Sequence, residues 1–189
     1  PLFALFNPAL GTTTVTPPLD PSKPLAANPA PLVAALRAEK VTCSFGSPAI
    51  WGKIADYCEA RGLKLPDLRR LLIAGAPVSG ELLAKLRVIA PQCVTHTPYG
   101  ATECLPITTI AADELLGEAR QRALRGNGTC VGQPVSGVEI RVIRETDGAI
   151  ATLADATPCA VGEIGEIIAT GPSVTREYDG LPEATRLAK

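Results

Sequence analysis

Short apolar runs alternate with helical patterns over roughly the first 125 residues, and this alternation limits the fold more than any other feature. The strand-like runs occupy residues 2–6, 13–15, 41–43, 70–74 and 93–97. Helical patterns separate most of these runs, and a proline-rich segment over residues 17–31 is typical of a surface connection. Strands that alternate with helices predict a parallel sheet with helices packed on it.

Three of the helices have sequence signals at their ends. Asn28 is a candidate N-cap for a helix over residues 31–40, Ser47 precedes a proline in the first helical turn, and Ser79 caps a helix that stops at Pro91. Helical spacing predicts the buried faces of the last two helices, which are Ile50, Ile54, Tyr57 and Cys58 in one and Leu82, Leu83, Leu86 and Ile89 in the other.

The pattern changes near residue 126. Residues 138–143 alternate between apolar and polar side chains, Asp147 and Gly148 form a turn signal, and residues 162–169 supply another strand. We therefore predict an α/β fold in two parts. Residues 1–125 form part of a wound, mostly parallel sheet with helices, and residues 126–189 form a small antiparallel β-rich subdomain.

Composition excludes several classes of protein. The chain has 189 residues with 18 basic and 19 acidic side chains and no basic stripe, so we expect no nucleic-acid partner. It has no apolar run near the ~20 residues of a membrane span and no signal peptide, so we expect a cytoplasmic protein. Six cysteines without a CxxC pair, beside one His, argue against a zinc site and favour reduced thiols.

The chain begins at Pro1 and contains no Met. An intact translation product would normally start with Met. We therefore expect this sequence to be a fragment of a longer protein, whose function depends in part on residues outside it.

Five consecutive residues carry the strongest chemical signal. Tyr99 offers a flat face for a base, and Gly100 and Ala101 allow a bulky anion to approach the main chain. Thr102 can donate to a phosphate oxygen, and Glu103 can hold Mg²⁺, which prefers oxygen ligands. This order matches the layout of ATP. The alternative is an ordinary turn at the end of a strand, with Glu103 capping the next element.

A second loop follows the strand at residues 70–74. Gly75, Ala76 and Pro77 have almost no side chain to offer, but ligands on open parallel sheets bind beyond the carboxyl ends of the strands. We expect the main chain of this loop to line one face of a base while Tyr99 covers the other. The alternative is an ordinary strand-to-helix loop whose small residues serve packing.

Four segments in order resemble the adenylate-forming superfamily, which includes acyl-CoA synthetases, luciferases and nonribosomal adenylation domains. Residues 71–78 resemble its adenine-side loop, and residues 99–103 match its YGxTE motif. Residues 128–134 resemble the glycine-rich start of its β-barrel subdomain, and residues 162–167, with Tyr178 beyond them, resemble its GEIGE segment. The resemblance implies that residues 126–189 are β-barrel-like and that the chain is a fragment of a larger adenylating enzyme.

The resemblance also implies a role for each site residue. Tyr99 would stack on adenine, with Gly75, Ala76 and Pro77 as the main-chain wall opposite. Gly100 and Ala101 would pass the ribose and the α-phosphate. Thr102 would bind a phosphate oxygen and Glu103 would coordinate Mg²⁺, so that ATP and Mg²⁺ are the implied cofactors and Thr102 and Glu103 the catalytic residues.

Two departures limit what this chain would do alone. Pro98 stands where many members have Gly or another small residue. The family's phosphate-clamping loop, its ribose-binding Asp and its small C-terminal domain with the catalytic Lys would lie outside these 189 residues. We therefore expect the fragment by itself to be inactive.

Finer resemblance points to the adenylating enzymes of bacterial long-chain olefin biosynthesis, the β-lactone synthetases. It rests on residues 6–11, 18–20, 45–49 and 101–107. The implied substrate is a long-chain β-hydroxy fatty acid (a 2-alkyl-3-hydroxyalkanoate), and other enzymes of the olefin pathway are implied partners. One alternative is a long- or medium-chain fatty-acyl-CoA synthetase. An alternative of another class is a non-catalytic nucleotide-binding module.

The remaining candidates have structural interpretations that we favour. His96 fits a strand-end histidine better than a general base, because the sequence shows no partner for it. Trp51 and Phe45 fit core packing better than the wall of an acyl tunnel. Cys104 is not needed as a nucleophile. We also interpret Glu163 as a structural carboxylate.

Overall fold

The chain forms two compact units. The computed structural model describes residues 2–17, 19–20, 23–148 and 150–188. Unit 1 contains the chain up to Thr97 together with Ile110–Cys130, and unit 2 contains Pro98–Thr109 together with the chain from Val131 onward. The predicted division of this chain into residues 1–125 and 126–189 stays a prediction.

Helices and strands alternate through the described residues. The helices are α1 (Leu2–Ala9), α2 (Pro29–Ala38), α3 (Pro48–Ala60), α4 (Gly80–Ile89), α5 (Ala112–Leu116), α6 (Glu118–Leu124) and α7 (Pro182–Ala188). The strands are β1 (Cys43–Gly46), β2 (Arg70–Ile73), β3 (Val94–Ala101), β4 (Cys104–Ala111), β5 (Gln133–Pro134), β6 (Glu139–Ile143) and β7 (Glu166–Thr170). In the part of the chain that the structure describes, every helix is too short or too polar to cross a bilayer.

The larger sheet is mostly parallel, as predicted. Its strand order is β1-β2-β3-β4-β5, and β6 and β7 form a separate pair. In unit 1, β1 and β3 both run parallel to β2, with Leu72 paired to Phe45 on one side and to His96 on the other. The carboxyl ends of β1 and β2 therefore lie at one edge of the sheet, and the α/β fold class is confirmed.

The core of unit 1 lies between this sheet and its helices. Its largest fully buried side chains include Trp51 from α3, Leu71 and Ile73 from β2, and Leu83 and Ile89 from α4. The predicted apolar face of α4 is buried in full. In α3, Ile54 and Cys58 are buried as predicted, whereas Ile50 and Tyr57 are only partly buried and Trp51 takes the central position.

The predicted helix caps are confirmed. The side chains of Asn28, Ser47 and Ser79 each accept a hydrogen bond from a main-chain N–H in the first turn of α2, α3 and α4, respectively. These side chains satisfy donors that have no partner within the helix. Since α2 begins at Pro29, directly after its cap, it starts two residues before the predicted position.

Two predicted strands near the N-terminus are wrong. Residues 2–6 belong to helix α1, because Leu and Ala have good helix propensity and none of the five residues is β-branched. The helix ends at Ala9, and Gly11 follows with a φ of 73°. Residues 13–15 are irregular despite their β-branched side chains, since a strand also needs a paired neighbour.

Strand β1 begins later than predicted. The N–H of Val41 still donates to the carbonyl of Leu36 and so completes the C-terminal end of α2. The strand therefore starts at Cys43. Of the predicted connection over residues 17–31, Pro18, Pro21 and Ser22 lie outside the described residues, and the part from Pro24 to Ala26 forms a 3₁₀ turn.

Unit 2 contains antiparallel pairs, as predicted for the region after residue 126. Strands β6 and β7 pair antiparallel from Glu139 with Thr170 to Ile143 with Glu166. Strand β7 is shorter than the predicted strand over residues 162–169. Its expected first half is a loop, because the carboxylate of Glu163 turns back to accept from the N–H of Ala160.

Strand β3 continues through Tyr99, Gly100 and Ala101, the first three of the five residues with the strongest chemical signal. Only Thr102 and Glu103 form the turn, and β4 starts at Cys104. The backbones approach closely at Gly100, where a Cβ would lie 2.5 Å from the carbonyl oxygen of Cys104 and 3.2 Å from the nitrogen of Ile107. Gly100 is therefore required by the two-residue turn itself.

Gly100→Ala is expected to destabilise the protein by about 1–3 kcal/mol, because the new methyl group meets main-chain atoms that can move only by distorting β4. Gly52→Ala is the matched control. Gly52 lies inside α3 with open space around it, so the same change should stabilise by roughly 0.5–1 kcal/mol. Denaturant unfolding of the full-length protein measures both. Equal effects of the two substitutions would contradict the close approach.

Lys85 on α4 holds a cluster of carboxylates on the surface of unit 1. Its ammonium group lies 2.7 Å from Asp56, 3.4 Å from Glu59 and 3.5 Å from Glu81. The hydrogen bond with Asp56 is the main reason that the pKa of Lys85 is raised above its ordinary value, and Glu59 acts in the same direction. The cluster therefore links α3 to α4 by charge as well as by packing.

Lys85→Met is expected to lower the melting temperature by a few degrees at neutral pH and low salt, and by less in 1 M NaCl, because exposed ion pairs are screened. The folded pKa is raised, so the stabilisation is complete below the ordinary lysine pKa of about 10.4 and is lost at higher pH. The difference from wild type should thus be constant between about pH 7 and 9 and shrink above about pH 10.4. Lys40→Met, at another exposed lysine, is the control, and a pH-independent difference would contradict the cluster.

Candidate functional site

The end of β3 and the turn that follows it contain five of the predicted site residues, all in unit 2. Tyr99 is 40% exposed, and Ala101 and Thr102 are exposed as well. Glu103 is half-buried, so its carboxylate is less free than its place in a turn would lead one to expect. Tyr99 and Thr102 are therefore exposed to solvent, and Glu103 is partly exposed.

Glu103 is held by a second segment of unit 2. The carbonyl oxygen of Glu103 accepts a hydrogen bond of 2.7 Å from the N–H of Thr175, and Cys104 forms an antiparallel bridge with Val174. The hydroxyl of Tyr178 donates to Oε1 of Glu103 at 2.7 Å. Both the main chain and the side chain of Glu103 therefore depend on residues more than seventy positions later in the sequence.

Tyr178 is the site residue whose role sequence reasoning missed. In the sequence, Tyr178 belongs to the segment that resembles GEIGE. Its neighbours in the sequence do not indicate a contact with Glu103. The hydrogen bond to Glu103, together with desolvation and the negative charge of that carboxylate, raises the pKa of Tyr178 above its ordinary value. The phenol is therefore protonated at neutral pH and able to donate.

The donor set at this turn fits Mg²⁺ that arrives with a nucleotide. Among the described residues, no group of three or more His, Cys, Asp or Glu side chains could hold a metal ion. Mg²⁺ usually keeps several waters and binds through one or two carboxylates and the phosphates of its substrate. The single half-buried carboxylate of Glu103 meets that requirement, and its Oε1 is already oriented by Tyr178.

The second predicted loop lies in unit 1, after the carboxyl end of β2. Gly75, Ala76 and Pro77 are exposed, and the N–H of Ala74 donates to the carbonyl of Gly46 at the end of β1. Gly75 has a φ of 92°, which other residues rarely adopt. The loop thus presents main chain at the expected edge of its sheet, and its place against adenine stays a prediction.

The residues with structural interpretations fall into two groups. Trp51 is 1% exposed and packs in the core of unit 1, as favoured, whereas Phe45 is 42% exposed and is not a core residue. His96 lies inside β3, paired with Leu72, and is therefore not at the end of a strand. Glu163 accepts from Ala160 and pairs with Arg144 at 3.3 Å, as expected of a structural carboxylate.

All six cysteines are free thiols. Burial raises the pKa of the Cys58 and Cys93 thiols above their ordinary values. Cys104 is buried directly after Glu103, with its sulfur 3.5 Å from the hydroxyl of Ser173. The environments of Cys58, Cys93 and Cys104 are those of packing residues.

Comparison with known proteins shows relatives over the whole chain. An olefin β-lactone synthetase from Xanthomonas campestris pv. campestris is 44% identical over 190 aligned residues, which cover 100% of this chain and 33% of that protein. A long-chain-fatty-acid–CoA ligase from Thermus thermophilus is 31% identical over 85% of this chain and 28% of its own length. The chain therefore spans about a third of the length of the curated relatives that it matches.

The fold has matches among solved structures. The crystal structure of VinN superimposes with a TM-score of 0.66 at 27% identity, covering 82% of this chain and 35% of VinN. Residues 2–179 match the family model described as AMP-binding enzyme. Since this match includes both the β2 loop and the turn at Glu103, the chain belongs to the AMP-binding enzyme family.

Proposed function

We propose that this chain is the adenine-side part of an adenylate-forming β-lactone synthetase. The observation that carries the proposal is the 44% identity to an olefin β-lactone synthetase over the full length of this chain. The exposure of Tyr99 and the hydrogen bond that orients the Glu103 carboxylate support the nucleotide half of the proposal. The substrate is a long-chain 2-alkyl-3-hydroxy fatty acid.

Each site residue has a defined task in binding ATP. The ring of Tyr99 stacks on adenine, and the resemblance also assigns adenine contacts to the main chain of Gly75, Ala76 and Pro77. Gly100 and Ala101 present no large side chain to the ribose and α-phosphate. The hydroxyl of Thr102 donates to a phosphate oxygen, and Glu103 holds the magnesium ion of Mg·ATP.

The reaction has two covalent steps. The substrate carboxylate attacks the α-phosphorus of ATP, and the bond to pyrophosphate breaks, which gives an acyl-adenylate. The β-hydroxyl oxygen of the same substrate then attacks the carbonyl carbon, AMP leaves, and the hydroxyl proton passes to solvent. Holding the hydroxyl beside the activated carbonyl makes ring closure a proximity effect.

Charge is the main obstacle in the first step, because a carboxylate must approach a polyphosphate. When bound, Mg²⁺ supplies positive charge to the phosphate oxygens. Thr102 contributes a hydroxyl donor to the same oxygens, and donors aimed at the developing charge stabilise the transition state. Glu103 anchors the cation without itself gaining or losing a proton.

A fatty-acyl-CoA synthetase is the second candidate. It is supported by the 31% identity to the long-chain-fatty-acid–CoA ligase of Thermus thermophilus. The two candidates share the adenylation step and the site residues. They differ only in the second nucleophile, which is coenzyme A in the synthetase and the substrate's own hydroxyl in the lactone-forming enzyme.

Glu103→Gln in the full-length protein is expected to lower substrate-dependent exchange of pyrophosphate into ATP about 100-fold, because the neutral amide is a poor magnesium ligand. Glu166→Gln makes the same chemical change at the exposed first residue of β7 and is the control. Full exchange activity in Glu103→Gln would reject the metal role. Absence of any exchange in wild type, with ATP analogue binding intact, would favour a non-catalytic nucleotide-binding module.

The products distinguish the two enzymatic candidates. The full-length protein is supplied with ATP, Mg²⁺ and a long-chain 2-alkyl-3-hydroxy acid, with and without coenzyme A. We expect pyrophosphate, AMP and a β-lactone in the absence of coenzyme A, detected by mass spectrometry and by the infrared carbonyl band of the four-membered ring. A strict requirement for coenzyme A, with a thioester as product, would select the acyl-CoA synthetase.

A further inference from the structure

The contact between Tyr178 and Glu103 is not explained by packing alone. Tyr178 and Glu103 are separated by 75 positions, yet the phenol oxygen lies 2.7 Å from Oε1 of the carboxylate. Hydrogen bonds to ionised acceptors are shorter and stronger than neutral ones. The bond also sits at a two-residue turn, where a glutamate would otherwise sample several rotamers.

The main chain of Tyr178 is held by residues of α7 and of the turn before it. Its N–H donates to the hydroxyl oxygen of Thr185 in α7 at 3.0 Å, and that hydroxyl donates to the carbonyl of Leu181 at 2.9 Å. The N–H of Leu181 closes the turn by donating to the carbonyl of Tyr178. The first turn of α7 therefore holds the main chain of Tyr178, and the phenol of Tyr178 holds the carboxylate.

The main chain of Glu103 is held by the same segment. The N–H of Thr175 donates to the Glu103 carbonyl, and Val174 bridges to Cys104. One stretch of chain thus restrains both the position of the residue and the direction of its side chain. An ionised carboxylate offers about four lone-pair sites, so the same group can accept from Tyr178 and also bind a cation.

We propose that Tyr178 is a positioning residue that orients the Glu103 carboxylate for Mg²⁺. The inference rests on the proposed function, in which Glu103 is the metal ligand. Freezing the carboxylate before the metal arrives removes the entropy loss that a free side chain would suffer on binding. Partners that orient metal ligands in this way commonly contribute 10- to 100-fold to metal affinity.

The test measures metal affinity without turnover. Mn²⁺ replaces Mg²⁺, and a methylene-bridged ATP analogue that cannot be cleaved between the α- and β-phosphates occupies the nucleotide site of the full-length protein. Electron paramagnetic resonance of free Mn²⁺ then gives the dissociation constant. Tyr178→Phe keeps the ring and removes the hydroxyl, and we expect roughly tenfold weaker Mn²⁺ binding, with unchanged affinity for the analogue in the absence of metal.

A double-mutant cycle separates orientation from general structural damage. If Tyr178 acts through Glu103, Tyr178→Phe has no further effect on Mn²⁺ affinity in a Glu103→Gln background. Tyr57→Phe removes a phenol hydroxyl on α3 and is the matched control. Thr185→Val removes the support behind Tyr178 and should weaken Mn²⁺ binding in the same direction, which keeps the test available if Tyr178→Phe does not fold.

The outcomes are distinguishable. Weaker binding in Tyr178→Phe with no added loss in the double mutant supports the inference. Binding within twofold of wild type in Tyr178→Phe, while Glu103→Gln binds poorly, overturns the inference and leaves the proposed function standing. Additive losses also overturn it. Unchanged Mn²⁺ affinity in Glu103→Gln rejects the metal role of Glu103, on which both the inference and the proposed task of Glu103 depend.

Discussion

The close approach of the main chain at Gly100 is the constraint on which the candidate site depends. A Cβ at this position would lie 2.5 Å from the carbonyl oxygen of Cys104, a separation that the backbone cannot accommodate without moving. Because Gly100 allows this approach, β3 can continue to Ala101 and reverse within two residues. Tyr99 consequently lies near the end of β3, and Glu103 lies in the turn directly after it. Sites on regular elements are held more precisely than sites on loops.

The second constraint is the segment that includes Val174, Thr175 and Tyr178. It restrains the turn through a main-chain bond and a side-chain bond to the same glutamate. The resemblance to adenylate-forming enzymes assigns chemistry to the YGxTE motif. The structure adds that the acid of this motif has a partner from the GEIGE side of the sequence, so two motifs that are distant in sequence meet in unit 2.

Much of unit 1 could be predicted from local signals. The caps at Asn28, Ser47 and Ser79 depend on a side chain and the next three residues, and so a single sequence contains the information. The buried face of α4 follows from helical spacing in the same way. The failures also have local causes. Residues 2–6 were apolar enough for a strand, but short apolar runs are ambiguous, and good helix formers without β-branching folded as α1.

The sequence by itself determined the class of fold, the family and the residue types at the turn, because periodicity, caps and motifs are written in neighbouring positions. Only the tertiary structure decided that Gly100 serves a close approach of two strands, that Phe45 is exposed while Trp51 is buried, and that Tyr178 holds Glu103. Each of these facts depends on atoms far apart in the chain. Local propensity depends on neighbouring residues only, so it does not describe such contacts. They form only when the strands pair.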